Sequence, residues 1–96
     1  MAKGYVIARA TVTDPEKWAA YAKAASAVMA SFGGQPIVRG GRWELAEGSA
    51  RARNAVLEFP CFDAARGYAT SQEYAEARAL RAGAGVIDIV VVEGSD

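Results

Sequence analysis

An apolar strand that stops at a proline and passes at once into a helix lies in the middle of this chain. The segment runs from Val56 to Arg66 and carries one carboxylate, Glu58, among apolar neighbours. Pro60 cannot donate to a sheet ladder, so the strand has to end there. A strand followed this closely by a helix favours folds in which strands and helices share one core.

Periodicity predicts the elements before this segment. Residues 3–12 alternate with period two, which indicates a first strand with Tyr5 and Arg9 on one face and Val6 on the other. Apolar residues from Trp18 to Phe32 then recur at three- and four-residue spacing, as on the buried face of a helix. We expect Asp14-Pro15 to cap the start of this helix and Gly33-Gly34 to end it.

The remaining elements follow from local patterns and glycine or proline breaks. Thr70-Ser71 should divide the second helical region, with Ser71 as a cap. Gly40-Gly41 should bend the second strand, since glycine pairs often mark bulges. The predicted elements are a strand at 35–40 that continues extended over 42–47, a strand at 53–59, helices at 62–69 and 72–81, and a strand at 86–93.

The resulting order, β-α-β-β-α-β, is the ferredoxin-like arrangement of the α+β class: an antiparallel four-stranded sheet with the helices on one face. Right-handed crossovers put the first and third strands in the centre. On the uncovered face, Ile7 and Val56 would meet water in a monomer, and an apolar face of that size indicates an interface. We therefore predict a single domain over residues 1–96 that forms a homodimer through the sheet face, a dimeric α/β barrel.

Composition excludes several functions. Eleven basic residues balance eleven acidic ones, which argues against nucleic-acid binding and against attraction to an anionic membrane surface. The absence of histidine and the single cysteine exclude a zinc site of His and Cys ligands and any relay that needs histidine. We expect no metal or cofactor, no membrane helix and no signal peptide. We also expect a cytoplasmic location, because a single cysteine forms no internal disulfide and so fits a reducing compartment.

Six short segments lie in order along the whole chain: Lys3-Gly4-Tyr5, Thr13-Asp14-Pro15, Val38-Arg39-Gly40-Gly41, Leu57-Glu58-Phe59-Pro60, Ser71-Gln72-Glu73-Tyr74 and Ala77-Arg78-Ala79-Leu80-Arg81. Together they resemble the DUF1330 family, whose members are dimeric α/β-barrel proteins of unknown function. Two departures from the family pattern are Cys61, where serine is usual, and Tyr68-Ala69, where an aromatic pair is usual. The first weakens a helix cap and the second removes a ring. The resemblance implies the ferredoxin-like fold and no particular reaction.

Four charged residues lie in strands that otherwise suit burial. Arg9, Arg39, Glu58 and Asp88 could project to one face together with Tyr5. Because buried charges are costly unless paired, the two arginines should meet Glu58, Asp88 or a ligand anion. One interpretation is a structural ion-pair network inside the barrel. The other is a pocket in which an arginine grips a small organic acid.

A second candidate group is Ser71, Tyr74 and Arg78. Tyr74 and Arg78 are four residues apart and share a helix face, which could lie at the mouth of a cavity. Alternatively, Tyr74 is core and Arg78 is solvated. Two functions follow from the sequence. One is a dimer that binds a small carboxylic or aromatic molecule, with Glu58, Asp88 or a tyrosine as the acid or base if it is a cofactor-free enzyme. The other is a non-catalytic dimeric module with a packed barrel interior.

Overall fold

The computed structural model describes residues 2–95 and has the predicted order of strands and helices, with the second helical region in two pieces. Most boundaries fall within two residues of those predicted. The elements are β1 (Gly4–Val12), α1 (Pro15–Ser31), β2 (Gln35–Arg39), β3 (Arg53–Phe59), α2 (Phe62–Thr70), α3 (Gln72–Ala79) and β4 (Gly85–Glu93).

The four strands form one antiparallel sheet in the order β2-β3-β1-β4, so the first and third strands are central, as predicted. The helices cover one face, with α2 packed on β1, β3 and β4 and α1 packed on α3. This arrangement is the ferredoxin-like α+β fold. We call the other side of the sheet the open face. Among residues 2–95, no helix is both long and apolar enough to cross a membrane.

Caps set the ends of the helices. The Asp14 carboxylate accepts a hydrogen bond from the backbone N–H of Lys17 at 3.3 Å and caps α1, while Ser71 Oγ accepts one from the N–H of Tyr74 at 3.0 Å and caps α3. Cys61 precedes α2 without a side-chain capping bond, in line with the expected weaker cap. After α1 the chain turns at Gly33, whose φ of +79° suits glycine.

The core lies between the helices and the sheet. Val6 and Phe59, on adjacent strands, are the largest fully buried side chains. Phe59 begins a run of aromatic contacts through Tyr68 and Tyr74 to Tyr21, with ring centroids 5.0–6.2 Å apart. Such rings bury large apolar areas and pack in tilted or edge-to-face geometry, which fixes the helices on the sheet.

The second strand and the loop after it differ from the sequence prediction. The bulge lies between Pro36 and Val38 rather than at Gly40-Gly41, and β2 ends at Arg39. Residues 42–47 form no strand; they belong to an exposed irregular segment at 40–52. In the described chain, no strand pairs with the backbone of these residues.

Candidate functional site

A cleft of about 360 Å³ separates α1 from the helix-covered face of the sheet. It exists because small side chains oppose each other: Ala8 and Ala55, partners in the β1–β3 register, face Ala22 and Ala25 of α1. Alanine leaves space that a larger side chain would fill, and packed protein interiors contain few such voids. The cleft is therefore a concave site between α1 and the sheet that could hold a ligand.

Two arginines on neighbouring strands line the cleft. The bulge in β2 brings Arg39 into register with Ala55, whose side of the sheet faces the helices, and Arg53 pairs with Ala10 on that same side. Within the described chain, neither guanidinium lies within 4.0 Å of a carboxylate. Both remain available to an anion that enters the cleft.

Aromatic side chains form another part of the cleft wall. Trp18, Tyr21 and Tyr68 are all at most 8% exposed and line it together. Burial raises the pKa of both phenols well above the usual value of 10, for Tyr21 with help from its hydrogen bond to Tyr74. The phenols therefore stay protonated and can act as hydrogen-bond donors or apolar walls, not as bases at neutral pH.

The described residues around the cleft include no carboxylate and no cysteine. A general base for neutral pH needs a pKa near the working pH, and the raised pKa values of Tyr21 and Tyr68 make these phenols unsuited to that role. Across residues 2–95, Asp, Glu and Cys side chains nowhere gather in a group of three or more that could hold a metal ion. The lining is suited to binding an apolar or aromatic body with an acidic group.

Tyr5 and Glu58 meet on the open face, as the strand alternation predicts. The Glu58 carboxylate accepts hydrogen bonds from Lys3 Nζ and Tyr5 Oη at 3.2 Å and from Gln35 Nε2 at 3.3 Å. The bond from Lys3 leads the causes that hold the pKa of Glu58 below its usual value, and partial burial leads those that raise the pKa of Tyr5. Neither residue lines the cleft, which lies on the other side of the sheet.

Asp88 also lies on the open face. It stands beside Arg9 in the β1–β4 register, but its ion pair is with Arg51 Nε at 2.8 Å. Arg51 also donates to Thr11 Oγ1 at 3.0 Å. The hydrogen bond from Arg51 is the main cause of the lowered pKa of Asp88.

The prediction that Arg9 and Arg39 pair with Glu58 or Asp88 is wrong within the described chain, which leaves a ligand anion as the other predicted partner. Lys3 takes Glu58 and Arg51 takes Asp88, instead of Arg9 and Arg39. Grouping Arg39 with the open face was also wrong, because the bulge in β2 turns it toward the helices. In the described chain no charged residue is buried, so burial does not force Arg9 or Arg39 to pair.

Tyr74 and Arg78 line a second cavity, of about 310 Å³, between α3 and β4. Tyr74 is 3% exposed and its hydroxyl lies 2.8 Å from that of Tyr21, whereas Arg78 is exposed. Ser71 is the cap that the simpler interpretation predicted. The structure thus places the candidate residues at three locations: Tyr5, Arg9, Glu58 and Asp88 on the open face, Arg39 in the cleft, and Tyr74 and Arg78 at the second cavity.

Sequence reasoning missed most of the cleft. It assigned Trp18 and Tyr21 to the core, which is correct for their burial, but overlooked the space beside them. The available signal was the excess of alanine on facing surfaces, at Ala8, Ala55 and Ala22. Alternation identifies which side chains point inward, but only their volumes show whether they meet.

Comparison with known proteins gives the family and the fold. The sequence profile of DUF1330, a domain of unknown function, matches residues 3–95. No curated protein matches the chain.

Solved structures share the fold at low identity. A protein of unknown function from Rhodopseudomonas palustris superposes with a TM-score of 0.75 at 16% identity, over 99% of this chain and 84% of that one. A dimeric ferredoxin-like protein of unknown function from Bacteroides fragilis superposes with a TM-score of 0.59 at 18% sequence identity, over 95% of each chain. Another dimeric ferredoxin-like protein, from Thermobifida fusca, superposes with a TM-score of 0.58 at 21% sequence identity, over 99% of this chain and 92% of that one.

Proposed function

This chain belongs to the DUF1330 family of domains of unknown function, and we propose that it binds a small organic molecule with an aromatic body and a carboxylate in the cleft between α1 and the sheet. The observation that carries the proposal is a cleft whose buried aromatic wall and two arginines occur together. Ligand sites are commonly apolar cavities with a few polar groups that fix orientation.

The arginines supply the specificity for an acid. Arg39 and Arg53 lie on adjacent strands and have no carboxylate partner within 4.0 Å in residues 2–95. A guanidinium can donate two parallel hydrogen bonds to a carboxylate, which sets both affinity and orientation. The aromatic body would pack against Trp18, Tyr21 and Tyr68. These side chains already line the cleft, so they need no rearrangement to receive it.

The chemistry of the lining supports binding more than turnover. Since the described lining contains no carboxylate, histidine or cysteine, proton abstraction from a bound molecule has none of the usual side-chain bases there. Glu58, the carboxylate that the sequence suggested as a base, lies on the open face beside Lys3. We therefore propose a binding or carrier role, with the ligand released unchanged.

Tryptophan fluorescence offers a direct test of this proposal. The chain has two tryptophans, Trp18 in the cleft wall and Trp43 in the exposed loop. In a Trp43→Phe background, the tryptophan emission comes from Trp18 alone, which lines the cleft. Phenylacetate should quench or shift its emission with a saturable dependence on concentration.

Variants of the arginines complete this test. Arg39→Gln and Arg53→Gln should each weaken phenylacetate binding about tenfold or more, the loss expected for one hydrogen-bonded charge pair. Arg66→Gln, at an exposed arginine of α2 that lines neither cavity, is the matched control. If phenylacetate leaves Trp18 emission unchanged at millimolar concentration, the non-catalytic packed module becomes the better interpretation.

We also infer that the open face joins two copies of this chain. Val86 and Val90, both 54% exposed, and Val92, 41% exposed, form a row on the open face of β4 that Asp88 interrupts between Val86 and Val90. Apolar patches of this kind on a sheet favour association. The structurally similar proteins from Bacteroides fragilis and Thermobifida fusca are described as dimeric, which supports the same assembly here.

Light scattering after size-exclusion chromatography tests the assembly. The wild type should elute as a dimer, and Val90→Asp, which places a second charge in this row next to that of Asp88, should elute as a folded monomer. Val86→Thr, which keeps size and shape at the end of the row, serves as a control. A wild-type monomer would contradict the inference.

A further inference from the structure

The second cavity, between α3 and β4, has its own chemistry. Its apolar wall consists of Ala69 from α2 and Ile87, Ile89 and Val91 from β4, while Tyr74, Arg78 and Arg81 supply its polar groups. No acidic residue in the described chain lines it. Cations and donors thus gather there without an acceptor to match them.

Arg81 provides the first unmatched donor. Its guanidinium lies over the ring of Tyr21 at 4.8 Å from the centroid and over that of Trp18 at 5.6 Å. These cation–π contacts hold the side chain in place. Its Nε is buried and has no hydrogen-bond partner in the described chain. A buried donor left unpaired costs about 1–3 kcal/mol, so an acceptor that reaches Nε after a small movement of the side chain would be favourable.

The buried pair of tyrosine hydroxyls provides a second donor. Tyr21 Oη and Tyr74 Oη are 2.8 Å apart, and either can donate to the other. Two hydroxyls carry two protons and the bond uses one. When Tyr21 donates, the proton of Tyr74, which lines the cavity, remains for another acceptor.

Arg78 adds a cation on the same wall. In residues 2–95, neither Arg78 nor Arg81 has a carboxylate within 4.0 Å. Two arginines and a phenol beside one cavity are suited to a carboxylate, whose two oxygens accept from several donors at once. The branched wall of Ile89 and Val91 suits an aliphatic group rather than a bare inorganic anion.

We propose that the second cavity is a binding site for a small, branched aliphatic carboxylate, held by Arg81, Arg78 and Tyr74 at its acid end and by the β4 side chains at its tail. The site is separate from the aromatic cleft, although Ile87 and Ile89 border both. Binding at the second cavity can therefore be tested independently of the function proposed above.

Methyl NMR of the full chain with 3-methylbutanoate as the probe tests the site. Ala69 and Val91 line only the second cavity, whereas Ala8 and Ala22 line only the cleft. The methyl signals of Ala69 and Val91 should shift and saturate, while those of Ala8 and Ala22 stay in place. The alcohol 3-methylbutan-1-ol has the same tail without the charge and should bind at least tenfold more weakly.

Three variants assign the binding groups. Arg78→Gln, at an exposed position, should weaken binding about tenfold without loss of fold. Arg81→Lys keeps the charge but removes Nε and should weaken binding by a similar factor. Its own methyl spectrum verifies that the packing on the aromatic rings survives. Ala69→Phe should fill the cavity and abolish the shifts at Val91, and Arg66→Gln should change nothing.

Several outcomes would overturn the site. Shifts confined to Ala8 and Ala22 would show that the probe enters the cleft, which supports the proposed function but not this inference. Inorganic phosphate shifting Ala69 and Val91 with equal affinity would refute the aliphatic carboxylate as the ligand class. Unchanged methyl signals at Ala69 and Val91 up to 20 mM, a concentration about twentyfold above a millimolar Kd, would refute the site itself.

Discussion

Filling the cleft should stabilise the protein while it destroys binding, and Ala8→Leu is the substitution that shows this most clearly. Ala8 is half-buried on β1, between Ala55 and Ile89 in the sheet register, and its side chain borders the cleft. The substitution adds three carbons to a site where about 360 Å³ is open.

The magnitude follows from the area that these carbons remove from water. Each buried CH₂ contributes about 0.8 kcal/mol, so full burial of three carbons would give about 2.4 kcal/mol. Because the cleft is open at its mouth, part of the new side chain stays wet. We expect a gain of about 1–2 kcal/mol in the free energy of unfolding, which for a domain of this size raises Tm by about 4–8 °C per kcal/mol.

Urea unfolding measures this gain, with phenylacetate binding measured on the same preparation. The matched control is Gly34→Ala, at a packed site, where a Cβ would lie 2.5 Å from Phe59 Cε2 and 2.8 Å from Met29 Cγ. Overpacking of this kind costs about 1–3 kcal/mol, so the two small-to-large changes should have opposite signs.

A loss of stability in Ala8→Leu comparable to that in Gly34→Ala would refute the reasoning. It would mean that the space beside Ala8 is absent in solution, and the proposed binding function would lose its site. Stabilisation without loss of phenylacetate binding would instead move the ligand elsewhere on the chain.

Three further predictions concern stability. Ser71→Ala removes the cap of α3 and should lower the free energy of unfolding by about 1 kcal/mol, whereas Ser71→Asp, another good capping residue, should restore it. Tyr74→Phe removes the 2.8 Å bond to Tyr21 and should cost about 1 kcal/mol in urea unfolding; no change would mean that this bond is not formed in solution. Glu58, whose pKa the hydrogen bond from Lys3 lowers, stabilises the fold above its usual pKa of 4.5 and loses that effect as pH falls through its lower folded value. Glu58→Gln should therefore flatten the pH dependence of stability below about pH 4.5, and a profile that keeps its wild-type steepness there would contradict this assignment.

The local pattern of the sequence determined the elements and the sheet. Alternation in β1 correctly placed Val6 in the core and Tyr5 on the open face, and Asp14 and Ser71 gave the helix starts. Crossover handedness then gave the strand order, because only a few topologies satisfy it. These properties depend on residues a few positions apart, and so they can be predicted without coordinates.

The candidate site depended on contacts between residues far apart in the chain. A bulge at Pro36/Val38 reversed the direction of Arg39, and Glu58 found its cation 55 residues away at Lys3. The cleft arises where the small alanine side chains of β1 and β3 face those of α1. This combination of small side chains comes from three separate segments, so no single segment reveals it. Periodicity records which way a side chain points, whereas a cavity depends on what stands opposite, and that is decided only when the tertiary structure brings the segments together.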